Sequence, residues 1–408
     1  MHNKKFDLGW GIIRMTSEDR RENRYQRRKQ KRIDKRKEFQ GTYGSLKNLT
    51  DFDNLIHAFT MVKRDVSWKE SIQRFDRNLF RNIEYIQDKL DMGEPIIQDV
   101  HTFYTYERGK LREIRSLSIM ERVIQRLICD ECLSPIVSHY IIYDNSASIK
   151  NRGFDFSIKR ICNHIRKFIR ENGVDGYILL IDFTKYYDNI LHQPLFEMID
   201  KMYIDEDLKK IMKAYIRRFE IDKEDGKSLG LDSQISQMLA VYYLNEIEHF
   251  IKDYCGYKYY GRYMDDSYFI VKTKEEAHEI LNLIMPMYEK LGIQVNKKKT
   301  QIVKLTHPFV FLKARFHISE TGKISLTIDH KSVVRMRRKL KKFKKFYDNN
   351  LMDLNMIEQS LQSWIAHAKR YKSHKTIQSM IALYNDLFIN PFMGTINQQK
   401  CSDNKENS

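Results

Sequence analysis

Three aspartates, at two places in the sequence, have the setting expected of metal ligands. Asp182 follows the apolar run 177–181, which predicts a buried strand, and Asp265 and Asp266 lie between two runs typical of β-strands. Two adjacent carboxylates in a tight turn repel each other unless a cation lies beside them. Mg²⁺ prefers carboxylate oxygens, and two such ions can clamp the attacking and leaving oxygens of a nucleotidyl transfer. The pattern therefore predicts a two-metal site, although a helix N-cap would account equally well for Asp182 taken alone.

The segments around these aspartates predict a mixture of helices and strands. Apolar residues between 158 and 169 recur at helical intervals, and Asn172-Gly173 predicts the end of that helix. Further helical patterns cover 51–102, 119–140, 235–251 and 275–291, and strands are predicted over 257–260, 267–272, 293–295, 309–316 and 323–328. The predicted fold class is α+β, with a hairpin that carries the adjacent aspartates at its tip.

The composition predicts a polyanionic partner. The chain carries 72 lysines and arginines against 54 acidic residues, a net charge of +18, and residues 1–50 alone hold 15 of those cations and six acids. The run 20–37 has no proline or glycine and few apolar residues, so it predicts a basic helix or arm. A flexible basic leader is the alternative interpretation. Its candidate contacts to nucleic-acid phosphates are Arg27, Arg28 and Lys29, followed by Lys31 and Arg32.

A second cation-rich segment follows the predicted strands. Apolar residues from 336 to 347 recur at helical spacing, and nine cations between 331 and 345 meet no acidic residue before Asp348. A charge run is ordinarily a solvated face, but so many unbalanced cations repel one another. We therefore expect an anionic partner there, and the candidate contacts are Lys341, Lys342, Lys344 and Lys345.

Several classes of protein are disfavoured. Apolar stretches such as 177–181 are far short of the ~20 residues needed to cross a bilayer, and no apolar segment near the start resembles a secretion signal. The five cysteines are too few and too scattered for a disulfide framework. Cys129 and Cys132 have a metal-type spacing without a second pair of ligands, which favours a pair in a helical core. The expectation is a cytoplasmic protein that does not contact a membrane.

The residues around the aspartates resemble the motifs of reverse transcriptases. Tyr263-Met264-Asp265-Asp266 resembles the YxDD box of that family, and 182–188 resembles its first carboxylate motif. Further segments match in the family's order, namely 110–114 and 122–125 in the fingers, 151–153 before the palm, and 236–245, 291–300 and 309–313 within it. The resemblance covers roughly residues 105–320, and the ordered motifs make it far more specific than a single box.

The resemblance implies a right-hand polymerase with fingers, a palm built on an antiparallel sheet and a helical thumb, preceded by the basic N-terminal arm. The expected bounds are 1–50 for the arm, 51–170 for the N-terminal extension and fingers, 171–320 for the palm, 321–390 for the thumb and 391–408 for a disordered tail. No motif of a nuclease, a ribonuclease H or a protease follows the thumb, which disfavours a mobile-intron or retroviral enzyme.

The resemblance also implies roles for single residues. Asp182 and Asp265 would hold two Mg²⁺ ions, for which Mn²⁺ is a substitute, while Asp266 assists and the backbone carbonyl of Phe183 completes one site. The primer 3′-oxygen would attack the α-phosphorus, and pyrophosphate would leave. One lysine would protonate the pyrophosphate, but an ordinary solvated turn is an equal alternative and the sequence leaves the choice open among Lys297, Lys298 and Lys299.

Four residues are expected to bind the incoming nucleotide. Lys110 and Arg112 would neutralise its triphosphate, with ordinary surface cations as the alternative, and Gln237 lies in the motif that supports template and nucleotide. Tyr187 occupies the position where the family uses a bulky ring to exclude the ribose 2′-hydroxyl, although a core aromatic would account for it as well. Tyr187 and Met264 also disfavour an RNA-templated RNA polymerase.

The expected function is that of an RNA-directed DNA polymerase, which copies an RNA template, in particular a dedicated noncoding RNA, into DNA from dNTPs. The lone polymerase body with a basic arm looks most like the defence-associated, abortive-infection-like reverse transcriptases of bacteria. The alternatives are a diversity-generating or retron-type enzyme, and a non-catalytic RNA-binding scaffold that keeps the polymerase shape. The template, the primer and the formation of an oligomer stay open.

Overall fold

The computed structural model describes residues 16–99, 101–107, 110–219, 226–230 and 233–389. The described chain divides into two units, and it passes between them more than once. The first unit consists of the residues up to Ile161, of Ile181–Phe269 and of His278–Thr300, and the second consists of Cys162–Leu180, Ile270–Ala277 and the residues from Gln301 onward. The predicted tail 391–408 lies outside the described residues.

The first unit begins with helices, as the sequence predicts. The basic run 20–37 lies inside α1 (Ser17–Tyr43), and the helices after it are α2 (Leu46–Leu49), α3 (Phe52–Lys63), α4 (Glu70–Arg77) and α5 (Leu79–Asp91). A hairpin of β1 (His101–Glu107) and β2 (Lys110–Ser116) follows, where the sequence predicted only a helical pattern up to residue 102. Its aromatic and threonine residues favour strands, which explains the difference.

A helical segment with a π-helical turn comes next. It comprises α6 (Ile119–Ile128), the π-helix π1 (Cys129–Leu133) and α7 (Ser134–Tyr140). Ser118 and Glu121 form a capping box that defines the start of α6. Cys129 and Cys132 are both buried in π1, which confirms the helical core expected for them. Burial raises the pKa of both thiols, that of Cys132 to about 12, so neither is a thiolate near neutral pH.

A sheet built around one apolar strand carries the predicted carboxylates. Its strands are β3 (Tyr177–Thr184), β4 (Tyr260–Tyr263), β5 (Asp266–Val271), β6 (Gln294–Val295) and β7 (Gln301–Lys304), and their order is β4-β5-β3-β6, with β7 also paired with β3. The helices that accompany the sheet in the chain are α8 (Phe154–Asn172), α9 (Tyr186–Asn189), α10 (His192–Asp200), α11 (Glu206–Arg217), α12 (Gln234–Tyr243), α13 (Asn245–His249), the π-helix π2 (Phe250–Tyr254) and α14 (Lys274–Lys290).

Two elements predicted as continuous are broken, and β7 was not anticipated. The helix predicted over 235–251 divides at Leu244, near the point where the Arg262 guanidinium donates to the Val241 carbonyl. The strand predicted over 309–316 is two strands, β8 (Phe309–Phe311) and β9 (Ala314–Ile318), joined by Leu312 and Lys313. These two residues have φ of 48° and 64°, the left-handed geometry of a tight hairpin turn. The turn lacks the Asn-Gly pair by which such turns are usually predicted from sequence.

The rest of the second unit contains a small sheet and three helices. Strand β10 (Ile324–Ile328) completes a sheet of order β10-β9-β8, and the helices are α15 (His330–Asp348), α16 (Leu354–Ala368) and α17 (His374–Phe388). Met336 and Leu340 of the predicted apolar stripe of α15 are buried together with Val333, whereas Tyr347 at the end of the stripe is exposed. In the part of the chain that the structure describes, no helix is long and apolar enough to cross a membrane.

Candidate active site

The two adjacent aspartates lie at the tip of the hairpin β4–β5, as predicted. Tyr263 pairs with Asp266 across the hairpin, which leaves Met264 and Asp265 as a two-residue turn. Met264 has φ of 54°, a conformation that side chains other than glycine adopt only when the surrounding structure holds it. The turn therefore needs side-chain contacts that hold its backbone in place.

A buried arginine supplies those contacts. The Arg262 side chain is fully buried; its Nη1 donates to the Met264 carbonyl at 3.0 Å and its Nη2 to the Val241 carbonyl at 2.5 Å. Its Nε donates to Glu248 Oε1 at 2.7 Å, and Glu248 is fully buried as well. Burial alone would lower the pKa of Arg262, but the Glu248 carboxylate raises it, so Arg262 remains charged. The ion pair ties the turn to α12 and α13.

Further hydrogen bonds satisfy the remaining oxygens of Glu248. Asn145 Nδ2 donates to Oε2 at 3.0 Å, and the Tyr260 hydroxyl lies 3.3 Å from Oε1. We call these four residues, Asn145, Glu248, Tyr260 and Arg262, the Glu248 cluster. A buried ion pair is stable only when its other polar atoms are satisfied in this way. The cluster holds the tip of the hairpin from inside the first unit.

Asp182 lies near the end of β3, and a lysine occupies both of its carboxylate oxygens. Lys299 Nζ donates to Oδ1 at 2.6 Å and to Oδ2 at 2.9 Å. The backbone amide of Asn296 donates to the Asp182 carbonyl at 2.8 Å, and Asn296 also begins the turn that carries Lys299. Of the three lysines left open by the sequence, only Lys299 is bonded to the aspartate among the described contacts.

The charges of these side chains act on one another. Burial raises the pKa of Asp265 above its ordinary value, and the negative charge of Asp182 adds to that effect. The hydrogen bond to Asp182 raises the pKa of Lys299, and the charges of Asp265 and Asp266 contribute. The two motifs, which are far apart in the sequence, thus meet in one electrostatic site.

The donor set fits a hard divalent cation, although no ready-made cage exists. Within the described residues, no three His, Cys, Asp or Glu side chains are arranged to hold a metal ion. However, carboxylate oxygens are the ligands that Mg²⁺ prefers, and Asp182 already binds a cation in the form of the Lys299 ammonium. The residues at this site that could hold a metal are Asp182, Asp265 and Asp266.

Tyr187 borders the same turn. It lies in α9, and its hydroxyl approaches Met264 Sδ at 3.7 Å. Burial, and then the charge of Asp265, raise the pKa of Tyr187 to about 12, so its hydroxyl stays protonated. The neighbouring Tyr186 is the core aromatic, because it is buried and its hydroxyl donates to the Ala240 carbonyl at 2.7 Å. Phe183 is likewise buried, with its ring 5.5 Å from that of Tyr186.

The structure gives fewer contacts for the other residues predicted to bind the nucleotide. Gln237 lies on α12 and lines a cavity of about 580 Å³ together with Gln234 and Met238. Lys110 and Arg112 belong to β2, opposite Glu107 and Thr105 in the register of the hairpin. The side chains of Lys110 and Arg112 lie outside the described residues, so their role stays a prediction.

The predicted nucleic-acid contacts lie on two helices. On α1, Arg27 is exposed, Lys29 is half-buried, and Arg28 Nη1 lies 3.1 Å from Asp253 Oδ1. On α15, Lys341 and Lys345 are exposed, Lys342 Nζ lies 5.2 Å from the centre of the Phe346 ring, and Lys344 is paired with Asp348 at 2.6 Å. The cations of the two predicted sets therefore differ in accessibility: some are exposed, and others are already engaged by residues of the chain.

The Glu248 cluster was not predicted from the sequence. Its signal was the presence of charged residues inside apolar surroundings, because Arg262 stands in the strand Tyr260–Tyr263 and Glu248 follows the buried Ile247. A charge at such a position is costly unless it is paired. However, the pairing joins different elements, and the sequence alone does not name the partner.

Comparison with known proteins identifies the family. Residues 101–316, more than half of the chain, match the model of the reverse transcriptase (RNA-dependent DNA polymerase) family. No curated protein matches the sequence.

Two solved structures of telomerase are similar to this chain at low identity. The structure of apo telomerase from Candida tropicalis, truncated from the C-terminal domain, is 12% identical, with 57% of this chain and 56% of that chain covered and a TM-score of 0.44. The structure of telomerase from Candida albicans with a TWJ fragment of telomeric RNA is 10% identical, with coverages of 74% and 61% and the same TM-score of 0.44. The chain thus spans less than two thirds of either structure, and so low a TM-score supports no argument about activity or partners. The family match stands without it: this chain belongs to the reverse transcriptase (RNA-dependent DNA polymerase) family, a family of nucleotidyltransferases.

Proposed function

We propose that this chain copies an RNA template into DNA at the site formed by Asp182, Asp265 and Lys299. The observation that carries the proposal is the convergence of the two carboxylate motifs: Lys299 binds both carboxylate oxygens of Asp182, and the charge of Asp182 contributes to the raised pKa of Asp265. In this proposal the hairpin β1–β2 belongs to the fingers, the β3 sheet to the palm, α15–α17 to the thumb and α1 to the arm, with the domain bounds expected from the sequence.

Two Mg²⁺ ions, or Mn²⁺ in their place, would be held by Asp182 and Asp265, with help from Asp266 and the Phe183 carbonyl. When bound, they supply the positive charge that stabilises the attacking and leaving oxygens. The support for this assignment is the all-oxygen donor set and the cation that Asp182 already binds.

Side chains of this protein donate the proton, select the sugar and bind the nucleotide. The Lys299 ammonium, whose pKa is raised by Asp182, is the proton donor for the leaving pyrophosphate. The Tyr187 ring, beside Met264, excludes nucleotides that carry a 2′-hydroxyl. Lys110 and Arg112 bind the triphosphate, and Gln237 supports the template and the nucleotide.

The proposed partners are an RNA template, specifically a dedicated noncoding RNA, together with dNTPs and the DNA product. The role proposed for the DNA product is in antiviral defence, and its support is the resemblance of the motifs and the basic arm to those of defence-associated bacterial enzymes. The non-catalytic scaffold is the competing hypothesis, and it predicts RNA binding without incorporation.

A matched pair of aspartate variants tests the polymerase proposal. Asp182→Asn and Asp265→Asn should abolish Mg²⁺-dependent incorporation on a primed RNA template, because each removes a charge that a metal needs, while RNA binding stays near normal. Asp188→Asn is the control, since it makes the same change of charge six residues after Asp182, in α9. Near-normal incorporation by either site variant would refute the metal assignment.

A further inference from the structure

Helix α1 is fixed to the first unit along one of its faces. The Tyr25 ring lies edge-on to Phe250 and Tyr254, with centroids 6.4 and 5.6 Å apart. Arg32 Nη1 lies 2.6 Å from Asp253 Oδ2, and Arg28 Nη1 lies 3.1 Å from Asp253 Oδ1. The Arg32 side chain is only 12% exposed, so the contact to π2 is well shielded from water. The helix is therefore anchored and is not a free arm.

The face away from this anchor carries a line of cations. Arg20, Arg24, Arg27 and Lys31 are all exposed, and they follow one another at intervals of four, three and four residues. This spacing places them on one side of the helix, roughly opposite Tyr25 and Lys29. We call these four residues the α1 stripe. In the described part of the chain, no carboxylate forms an ion pair with any of its members.

The geometry of the α1 stripe suits a nucleic-acid backbone. Its members cover about 16 Å of helix, with about 5 Å between successive charges, because an α-helix rises 1.5 Å per residue. The Nε atoms of Arg20 and Arg24 donate to carbonyls one turn earlier at 3.3 Å, and each guanidinium has two further nitrogens that can donate. Guanidinium groups bind phosphate through several donors at once.

The residue types on the same face favour a double helix over a single strand as the partner. Single-stranded nucleic acids are held by aromatic side chains on which bases stack. The exposed neighbours of the α1 stripe on this face include Asn23, Gln30, Asp34, Lys35 and Glu38, none of which has an aromatic ring. Recognition of a duplex RNA instead relies on its shape and its phosphates.

We propose that the α1 stripe is a docking surface for the phosphate backbone of double-helical RNA, held in a constant orientation by the anchor of Tyr25, Arg28 and Arg32. The proposal rests on the proposed function in one respect, the choice of RNA as the polyanion. It differs from the sequence-based expectation in its residues, because Arg28 belongs to the anchor and Lys29 to the half-buried side.

Neutralising the α1 stripe tests the docking surface directly. The variant Arg20→Gln, Arg24→Gln, Arg27→Gln and Lys31→Gln keeps good helix formers on an exposed face, so α1 should remain folded. Binding of a labelled RNA hairpin with a duplex stem is measured by fluorescence anisotropy between about 50 and 200 mM salt. We expect affinity to fall at least about tenfold and the salt slope of log affinity to drop by roughly 0.9 for each lost contact.

A charge-matched control separates this surface from net charge. The variant Lys159→Gln, Arg166→Gln, Lys167→Gln and Arg170→Gln removes four exposed cations from α8. It should leave the salt slope for the hairpin almost unchanged. Equal losses in both variants would overturn the docking surface and leave only a general attraction of the basic chain. If the stripe variant loses as much affinity for unpaired RNA of equal length as for the hairpin, the preference for duplexes is overturned. If it loses as much affinity for a DNA duplex as for the hairpin, the choice of RNA is overturned.

The anchor has its own variant. Asp253→Asn removes the partner of Arg28 and Arg32 but keeps every cation of the α1 stripe. Affinity should fall because the stripe is no longer held in place, whereas the salt slope should persist because the phosphate contacts can still form. A slope reduced as much as in the stripe variant would contradict a separate anchoring face.

Extension of a short primed template separates this proposal from the polymerase proposal. Asp265→Asn should bind the hairpin as the wild type does and extend nothing, whereas the stripe variant, which keeps Asp182, Asp265 and Lys299, should lose hairpin affinity and still incorporate nucleotides. If the wild-type protein incorporates no nucleotide but the stripe still controls hairpin binding, the docking surface stands and the polymerase proposal fails.

Discussion

Lys299 is the one lysine of three consecutive ones whose ammonium lies against Asp182. Lys297 and Lys298 have the same charge and belong to the same exposed turn, but the hydrogen bonds of Asn296 orient only the third toward the aspartate. A proton donor must be within hydrogen-bond reach of the reacting group. Lys299 meets this requirement for a leaving group that is bound beside Asp182.

A lysine scan of this turn measures the role of Lys299. Lys299→Gln should lower kcat for incorporation about a hundredfold, the size typical of a lost general acid, with little change in KM for dNTP. Lys297→Gln and Lys298→Gln serve as controls with an identical change of charge and should stay within a few-fold of wild type. Single-turnover incorporation gives the rate of the chemical step. Three equal losses would show that only the local charge matters.

Tyr187 allows an equally narrow test of sugar selection. Tyr187→Val removes the ring beside Met264, so the ratio of ribonucleotide to deoxynucleotide incorporation should rise by about tenfold or more, as expected for the loss of a steric barrier. Tyr187→Phe keeps the ring and loses only the hydroxyl, so it should discriminate as the wild type does. Competition between rNTP and dNTP on one template measures the ratio. Unchanged selection by Tyr187→Val would make Tyr187 a packing residue.

Sequence patterns located those residues whose signal lies within a few neighbouring positions of the sequence. Asp265 and Asp266 are adjacent, and Asp182 ends an apolar run, so their setting can be seen within a few positions. The choice of Lys299 over its neighbours depends on a turn, and the division of α1 into anchor and stripe depends on which face packs against π2. Helical periodicity separates the faces of α1, but it does not say which of them is covered.

Among the elements, the hairpin β4–β5 depends most on a contact beyond itself. A two-stranded hairpin is only marginally stable alone, and the left-handed Met264 adds strain at its tip. The Glu248 cluster offsets both, because Arg262 binds the Met264 carbonyl and is itself held by Glu248. The position of Asp265 is thus set by residues that do not touch the substrate.

A double variant separates this positioning role from stability. Arg262→Met alone leaves Glu248 buried without its partner and should cost about 3–5 kcal/mol of unfolding free energy. Adding Glu248→Gln removes the unpaired charge and keeps a group that Asn145 and Tyr260 can bond, so much of the stability should return. Incorporation should stay low in both proteins because the Met264 carbonyl has lost its donor. Denaturant unfolding and single-turnover incorporation measure the two quantities, and recovery of activity with stability would contradict positioning.

The anchor of α1 should depend on pH through Asp253. Burial would raise the pKa of Asp253, but the hydrogen bond to His249 and the charges of Arg32 and Arg28 together hold it below its ordinary value. A carboxyl whose folded pKa is lowered stabilises the fold above its unfolded pKa and loses that effect as the pH falls through the folded value. The difference in unfolding free energy between wild type and Asp253→Asn should therefore be constant above about pH 5 and shrink below about pH 4. A difference that grows on acidification would have the wrong sign.

Across the whole molecule, local patterns predicted most elements but not their interruptions. The apolar run 177–181 lies in β3 and the cationic segment after 330 in α15, because each has a periodicity that one element explains. The break of the helix at Leu244 and the turn at Leu312 and Lys313 carry no glycine or proline. Their geometry is imposed by packing between segments, which no single stretch of sequence contains.

The two basic helices belong to different units and should act on different parts of an RNA–DNA substrate. On α15, Arg335, Arg338, Lys342 and Lys345 are exposed at intervals of three and four residues, opposite the buried Met336 and Leu340. Neighbouring cations are engaged within the unit, since Lys339 donates to Ser360 and Arg337 to Ser379. The exposed face of α15 therefore has the better access to phosphates.

Four substitutions on that face give the last prediction. Arg335→Gln, Arg338→Gln, Lys342→Gln and Lys345→Gln should weaken binding of a short primed template and slow its extension, with the salt slope reduced by roughly 0.7–0.9 per lost contact. The stripe variant of α1 carries the same change of charge and is the control, because it should affect the folded RNA hairpin and spare the short template. Combined, the two sets should lower log affinity for a primed RNA that contains a hairpin by the sum of their separate effects, since independent contacts add. If both variants lost the same affinity for both substrates, binding would depend only on the total charge of the chain.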